Sequence, residues 1–461
     1  MIQFVVLDLE AKMGFGYCGD IRIGKRGDRL FSDIVRSGSL VLRKLCRGRA
    51  AELGAHRFLG SSAVTPQGIL SEFAERTGRA CKGRVVVAAQ DTTEINFSGA
   101  DKGRRGLGLA GDGKSLGFFI HPLVAIDAGD EAVLGVAGAR IWTRGLEKAG
   151  DRHKRPLGDK ESECWLEAVA TAADVLSEAS RVIVVGDRES DIYEMFARQT
   201  PGVELLVRSR SDRRLEGGGL LYDAEASLAS AGEIAVKVAP KGIGDKGRTA
   251  NVAVSFGRAA IARPANVRAS AAGKAVELTL VVAREVGVAS SGKALLWRLL
   301  TTLQIETPEQ AIEAIGFYRL RWRIEEVFRV LKRDGLALEK TQVEDTARLF
   351  NLAAMALGAA ARIIQLTDAR DASNRPASDV IEDSQIEPAE AISLTLEGKT
   401  RRQKNPHPKG SLPWLAWITA RLGGWNCYYK PPGPKTMADG WKRLSAMLDG
   451  FQIATTAKSN V

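Results

Sequence analysis

Two kinds of apolar spacing alternate along the chain. Residues 85–89 and 181–185 are short, uninterrupted, largely β-branched runs, the pattern of strands covered on both faces. Each delivers an acid just past its end, Asp91 after Gln90 and Asp187 after Gly186. Residues 117–127 and 132–142 predict two further strands around the polar turn 127–130, and 203–208 predicts another. Helical spacing marks 161–177, 190–198, 308–333 and 345–366. Between 213 and 303 the pattern changes to alternating, glycine-punctuated segments at 233–238, 250–262, 275–284 and 294–302, a β-rich insertion between two parts of an α/β core.

The flanks differ from this middle. Residues 1–83 mix helical stretches (30–35 and 41–45) with Lys25, Arg26, Arg29, Arg36, Arg43, Lys44, Arg47 and Arg49, and predict a small basic helical domain. Residues 367–390 are polar and predict an exposed loop, while the tail from 412 carries Trp414, Trp417, Trp425 and Trp441 in helical stretches that pack or pair. The expected organisation is an N-terminal helical domain at 1–83, core at 84–212 and 306–366, a β insertion at 213–305, and a linker with C-terminal helices at 367–461.

Composition narrows the class. With 461 residues, 45% hydrophobic and 26% charged, the chain is neither disordered, collagenous nor coiled-coil. The longest apolar stretch, 349–366, holds Asn351, Arg362 and Gln365, so no membrane span is expected. The start sets Asp8 and Glu10 behind a brief apolar run, unlike a secretory signal, and predicts a cytoplasmic protein. Five scattered Cys with no CxxC, and four scattered His, argue against a disulfide framework or a zinc site. The net charge of +11 favours an anionic partner such as nucleic acid.

Two carboxylates at neighbouring strand ends repel unless a cation lies between them, and hard oxygen donors suit Mg²⁺ or Mn²⁺. Strand-end turn residues are the alternative reading of either Asp alone. On a helix beginning near Phe317, Tyr318, Arg321, Glu325 and Lys332 fall within about 60° on one face over ~21 Å. Arg329 shares that stripe, while Phe317, Leu320, Ile324, Val327 and Leu331 gather on another side that can face the core. Trp322 sits among the charges, and six cations (Arg319, Arg321, Arg323, Arg329, Lys332, Arg333) outnumber two Glu, which fits a plain solvated face poorly. One acid flanked by cations and a phenol suits a metal-dependent phosphodiester site, with Glu325 completing the carboxylate set.

Asp91-Thr92-Thr93, Gly186-Asp187-Arg188-Glu189-Ser190-Asp191 and the run Tyr318 to Lys332, with its Y-(2)-R-(3)-E-(6)-K spacing, resemble the DDE transposases of the insertion-sequence-four group. Gly19-Asp20-Ile21-Arg22, His56-Arg57-Phe58-Leu59, Lys160-Glu161-Ser162 and Gly440-Trp441-Lys442-Arg443-Leu444 extend the resemblance through most of the chain. Residues 1–17 depart from it, lacking a charged helical start. The resemblance implies an α/β fold: an RNase H-like core with a β-rich insertion, an N-terminal helical DNA-binding domain and a C-terminal helical dimerisation region. It implies Asp91, Asp187 and Glu325 as catalytic metal ligands for Mg²⁺, with Mn²⁺ as a substitute, around a pair of ions ~3.5 to 4 Å apart. Tyr318, Arg321 and Lys332 then hold DNA phosphates, with Arg208 and Arg210 on the backbone and Arg329 and Trp322 on the same DNA-facing surface. Trp297 matches an aromatic that stacks on a flipped base; a core strand residue is the other reading of it. The implied partners are double-stranded DNA, as terminal inverted repeats and target, and a second copy of the chain on paired ends, in the bacterial cytoplasm with the nucleoid. The implied activity is cut-and-paste transposition through a hairpin. Its competitors are a catalytically idle DNA-binding or inhibitory relative and an unspecific RNase H-like nuclease.

Residues 108–115 formally satisfy the phosphate-loop pattern G-x-x-x-x-G-K-[ST]. That motif works between a strand and a helix, and here a polar stretch precedes it and a strand pattern follows. No nucleotide is expected; a loop touching DNA through Lys102, Arg104, Arg105 and Lys114 is the preferred reading.

Overall fold

The computed structural model describes residues 20–46, 48–97, 104–111, 114–144, 163–238, 248–268, 273–287, 294–369, 375–428 and 430–459. Gly19, Arg47, Lys102, Gly113 and Lys160-Glu161-Ser162 lie outside them.

The apolar runs form strands β1 (Val85–Gln90), β4 (Leu116–Asp127), β5 (Val133–Trp142), β6 (Arg181–Gly186) and β7 (Glu204–Arg208). Two short strands, β2 (Thr93–Asn96) and β3 (Gly108–Leu109), carry too little apolar pattern to be read in advance. The alternating segments are β8 (Ala229–Val238), β9 (Arg248–Ala262), β10 (Ala275–Glu285) and β11 (Leu296–Thr301). All join one 11-stranded sheet with the path β2-β4-β1-β6-β7-β11-β10-β9-β8, β3 and β5 pairing β4. β1, β6 and β7 are parallel to one another, and β4 and β5 run antiparallel on the β1 side. This mixed α/β order is consistent with an RNase H-like core. The β-rich insertion does not stand apart as a sheet of its own. β11 pairs antiparallel with β7, so β7 presents no bare edge and the alternating strands extend the core sheet.

The parallel centre is covered on both faces, which is why its strands read as continuous apolar runs. Val86, Ala88, Val182, Val184 and Leu205 pack with Trp165 and Val169 of α5 (Glu163–Val175) and with Phe196 of α6 (Tyr193–Arg198). Val87, Ala89, Ile183, Val185 and Leu206 face the other way, into the cluster that holds α7 (Pro308–Leu320), α8 (Arg323–Arg329) and α9 (Thr346–Ala369). Alternation of period two thus assigns every odd-numbered residue of β1 and β6 to the α7–α9 face.

α9 has the length and composition to cross a membrane, but it is buried as the core helix of this face. Its polar residues bind backbone inside the fold: Asn351 Nδ2 donates to the carbonyls of Leu59 (2.9 Å) and Val64 (3.0 Å), and Gln365 Nε2 donates to Leu134 (2.6 Å). The N-terminal helices α1 (Ile21–Ser37), α2 (Leu42–Leu45), α3 (Arg49–Leu59) and α4 (Pro66–Cys81) share this cluster through Phe31, Leu45, Phe58 and Ile69.

Residues 367–390 are not the exposed loop their polarity predicts. α9 runs on to Ala369, Arg375, Ala377, Val380 and Ile381 are buried, and α10 (Ile386–Leu396) starts within the range. Among the described residues, Ser378, Asp383 and Ser384 lie in short 3₁₀ turns between these pieces, while the spaced apolar positions turn inward. α11 (Leu412–Leu422) and α12 (Pro434–Ser459) follow, and Trp414, Trp417 and Trp441 are buried within the chain. Those tryptophans pack rather than lie open for pairing.

Candidate functional site at the ends of the parallel strands

The last registered pairs of the parallel strands are Ala89 with Val185 and Gly186 with Val207. Two residues further along the first ladder, Asp91 lies beside Asp187; one further along the second, Asp187 lies beside Arg208. All three are in step with the strand residues facing α7 and α8. β7 ends against β11, where Leu299 pairs with Arg208 and Trp297 is two residues away. A row of acid, acid, cation and aromatic therefore runs across the C-terminal ends of three parallel strands and their antiparallel neighbour, the position where open α/β sheets build sites.

The opposing side comes from α7 and α8. Thr307 caps α7 with a reciprocal Thr307–Gln310 capping box and Pro308 in the first turn. The sequence pattern predicts one helix to 333, but the helix is interrupted where the chemistry sits. Arg321, Trp322, Ile324 and Glu325 donate to carbonyls three residues back (3.1–3.2 Å), a tightened turn between α7 and α8. A wide π-type turn at Val330–Asp334 then ends α8. Tyr318, Arg321 and Glu325 remain near the strand ends, and Lys332, in the wide turn, pairs with Glu339 at 3.9 Å. Glu339 in turn accepts the Asn96 amide at the end of β2 (3.2 Å).

Arg321 Nη1 donates to Asp91 Oδ2 at 2.8 Å, with both side chains about 15% exposed. The other oxygen, Oδ1, accepts the Thr92 amide at 2.8 Å. Burial raises the Asp91 pKa to about 7, with Asp187 and Glu325 adding repulsion against the pull of Arg321 and Thr92. Burial opposes the Arg321 charge, yet Tyr318, Asp91, Asp187 and Glu325 hold it above the ordinary arginine value. Burial likewise raises Tyr318 and lowers Arg208, whose Nη2 donates to the Leu296 carbonyl at 2.9 Å. These shifts mark one electrostatically coupled group of Asp91, Asp187, Arg208, Tyr318, Arg321 and Glu325.

The donor chemistry of this group suits a divalent cation: three hard carboxylates from two strands and a helix. Its spacing holds no ready site, because no three His, Cys, Asp or Glu side chains among the described residues are close enough to share an ion. Mutual repulsion keeps the acids apart, and the guanidinium of Arg321 is the cation against Asp91.

The other expected residues are placed differently. Trp297 is half-buried and meets Tyr318 edge to face, ring centroids 5.1 Å apart, in a packed contact. Arg329, Trp322 and Arg210 are exposed. Arg319 is paired with Glu131, and Arg323 with Glu326 and Asp368, so two of the six cations of the stripe are structural. Arg104 is structural too: its nitrogens donate to the carbonyls of Val343 (2.6 Å) and Thr341 (2.7 Å), and the guanidinium lies over Phe97. Gly108–Leu109 pairs with Leu116 and Gly117 in a hairpin that leads into β4, so no helix N-terminus follows the phosphate-loop-like run.

Two supports escaped the sequence pattern. Behind Asp91, on the α5 face, Thr92 Oγ1 lies 2.8 Å from His121 Nδ1, and His121 Nε2 lies 3.1 Å from Gln90 Oε1. Gln90 Oε1 can only accept, so Nε2 carries the proton and the Thr92 hydroxyl donates to Nδ1. Burial lowers the His121 pKa to about 3, so the ring is neutral. Beyond Asp187, the fully buried carboxylate of Asp191 takes Arg213 Nη2 at 2.6 Å and the Arg210 amide at 2.8 Å, which fixes the chain leaving β7. Nothing in spacing alone reveals either, because their partners are distant in sequence.

Residues 164–362 match the family model described as the transposase DDE domain. The matched range holds Asp187, Arg208, Trp297 and the run from Tyr318 to Lys332, and begins after Asp91. The match supports a transposase-type DDE domain in this part of the chain.

Proposed function

We propose that this chain is a cut-and-paste transposase of the insertion-sequence-four group, with Asp91, Asp187 and Glu325 as its catalytic carboxylates. The observation that carries the reading is the row Asp91–Asp187–Arg208 at the parallel strand ends, with Arg321 bonded to Asp91 from the facing helix. Part-buried acids that repel one another beside cations suit a phosphodiester held at a cationic centre.

Asp91, Asp187 and Glu325 would hold Mg²⁺, or Mn²⁺ in its place; when bound, such ions polarise the phosphoryl oxygens and make the attacking oxygen more acidic. Arg321 has a double use in this scheme. Without DNA it offsets the charge of Asp91. A phosphate arriving at the strand ends competes for the same guanidinium and releases Asp91 Oδ2. Arg208 and Tyr318 would hold the phosphate on the other side, with Lys332, Arg329, Arg210 and Trp322 along the approaching strand, and Trp297 would stack on an extruded base once parted from Tyr318. The reaction would run by nicking, attack of the freed 3′-hydroxyl on the opposite strand to form a hairpin, reopening by water, and joining to target. A pair of copies on paired ends would hold the DNA.

The test is incubation of the protein and Mg²⁺ with DNA bearing the inverted repeats that flank its gene. Excision with hairpinned ends supports the proposal. Unspecific degradation points to a plain nuclease, and a shifted but uncut band to an idle DNA-binding relative; either result defeats it.

A further inference from the structure

A second basic surface lies in the C-terminal region, away from the strand ends. A cavity of about 630 Å³ opens between the turn Arg401–Gln403, one side of α11 and the segment that leads to α12. Arg401, Arg402 and Lys404 form one wall, and Trp417, Trp425 and His407 contribute to the rest. Ala416 and Ala420, one turn apart on α11, keep the wall between the indoles low. The lining is thus cationic at one side and mainly apolar and aromatic within.

The cations around this cavity divide into two kinds. Lys409 is held by Glu387 and Glu390, and Arg421 donates to the carbonyls of Leu396 and Trp425, so both are spent on the fold. Arg401, Arg402 and Lys404 are exposed, and among the described residues their side chains make no ion pair. Residues 398–410 contain five Lys and Arg and no acid; Glu397, just before them, accepts the Asn405 amide, and Glu387 and Glu390 hold Lys409, so Arg401, Arg402 and Lys404 are the exposed charges that line the cavity. Inside, Trp425 Nε1 is shielded from solvent with no hydrogen-bond partner among the described residues.

We infer that this cavity takes one unpaired nucleotide of a DNA strand, the base against the half-buried Trp425, which the buried Trp417 backs, and the phosphates on Arg401, Arg402 and Lys404. Exposed cations beside an aromatic, sequence-tolerant slot are the combination that holds single strands. An acidic peptide would satisfy the cations but leave the aromatic slot without a flat partner, which is why the nucleotide is favoured. The inference rests on the transposase reading and adds to it a second place on the same chain that holds a free strand end.

The experiment uses the full chain and labelled duplex DNA that ends either blunt or in a short single-stranded overhang carrying 5-iodouracil. Fluorescence anisotropy should show the overhang bound about tenfold more tightly, within the range one base stacked on an aromatic face contributes. Irradiation should attach the uracil to a peptide containing Trp417 or Trp425. Arg401→Glu with Arg402→Glu should erase the preference, and Trp425→Leu, which stays apolar but removes the aromatic face, should weaken it and redistribute the crosslink. Equal affinity for the two ends, or crosslinks elsewhere, overturns the inference; if the same protein still excises its DNA, the transposase reading stands. Failure to bind either DNA, with binding of a glutamate-rich peptide instead, overturns both.

Discussion

The parallel centre of the sheet and its antiparallel extension differ in what their residues are for. β1, β6 and β7 are closed over by helices on both faces; the N-terminal ends of β6 and β7 carry the ion pair Arg181–Glu204, and at the C-terminal ends Asp91, Asp187 and Arg208 stand in a row. β8 to β10 are longer, β8 shifts register between Ser230 and Gly232, and the outer strands β8 and β9 carry residues exposed on one face. The first half concentrates charge at one spot; the second supplies breadth and support. Activity and stability should therefore separate between them.

The largest effect belongs to the centre. Asp91→Asn, Asp187→Asn and Glu325→Gln should each lower DNA cutting by about 10³-fold or more, measured in single-turnover assays, while the melting temperature stays near that of the unchanged protein. A variant that keeps full cutting removes that acid from the site. Next comes Asp191→Ala, which leaves Arg213 buried without its partner; urea unfolding should show a loss of about 3–5 kcal/mol. In the extension, Leu280→Ala should cost about 2–5 kcal/mol of stability with cutting retained at temperatures where the protein is folded. If that variant loses cutting while folded, the two halves are not separable in the way described.

The same comparison explains what was legible in the chain. The apolar runs 85–89 and 181–185 announce the parallel strands because burial on both faces leaves no polar alternation, and the acids stand out as the first charges after them. The joining of β11 to β7 was not legible, since strand pairing between distant segments leaves no mark in local spacing. The interruption at Arg321–Trp322 was missed because no Pro or Gly announces it; the 3.6-residue period continues through a turn that backbone hydrogen bonds tighten. Arg104 and Arg323 read as candidates for solvent or DNA because charge alone does not say which acid or carbonyl lies nearby. In 367–390, polar turn residues masked the buried Ala377, Val380 and Ile381.

Trp297 tests the boundary between the halves, since it belongs to the extension but touches Tyr318. Trp297→Ala should weaken hairpin formation by about 1–3 kcal/mol, read from the fraction of nicked ends converted, with nicking less affected. A variant that forms hairpins normally makes Trp297 a packing residue. The last effect is on pH. The folded pKa of His121 is depressed to about 3, so its stabilising contribution is complete above the unfolded value near 6.5 and is lost as pH falls towards 3. Replacing His121 by Gln should flatten the decline of stability below that pH by at most about 1.4 kcal/mol per unit, measured as urea midpoints against pH. An unchanged slope would mean that His121 titrates as it does in the unfolded chain.

The central claim is that Asp91, Asp187 and Glu325 act together once DNA has drawn Arg321 away. Electron paramagnetic resonance of Mn²⁺ titrated into the protein bound to uncleaved end DNA measures this most directly. Tight Mn²⁺ binding that each of Asp91→Asn, Asp187→Asn and Glu325→Gln weakens at least tenfold is the expected result. Mn²⁺ binding that is unaffected by all three substitutions would contradict the account.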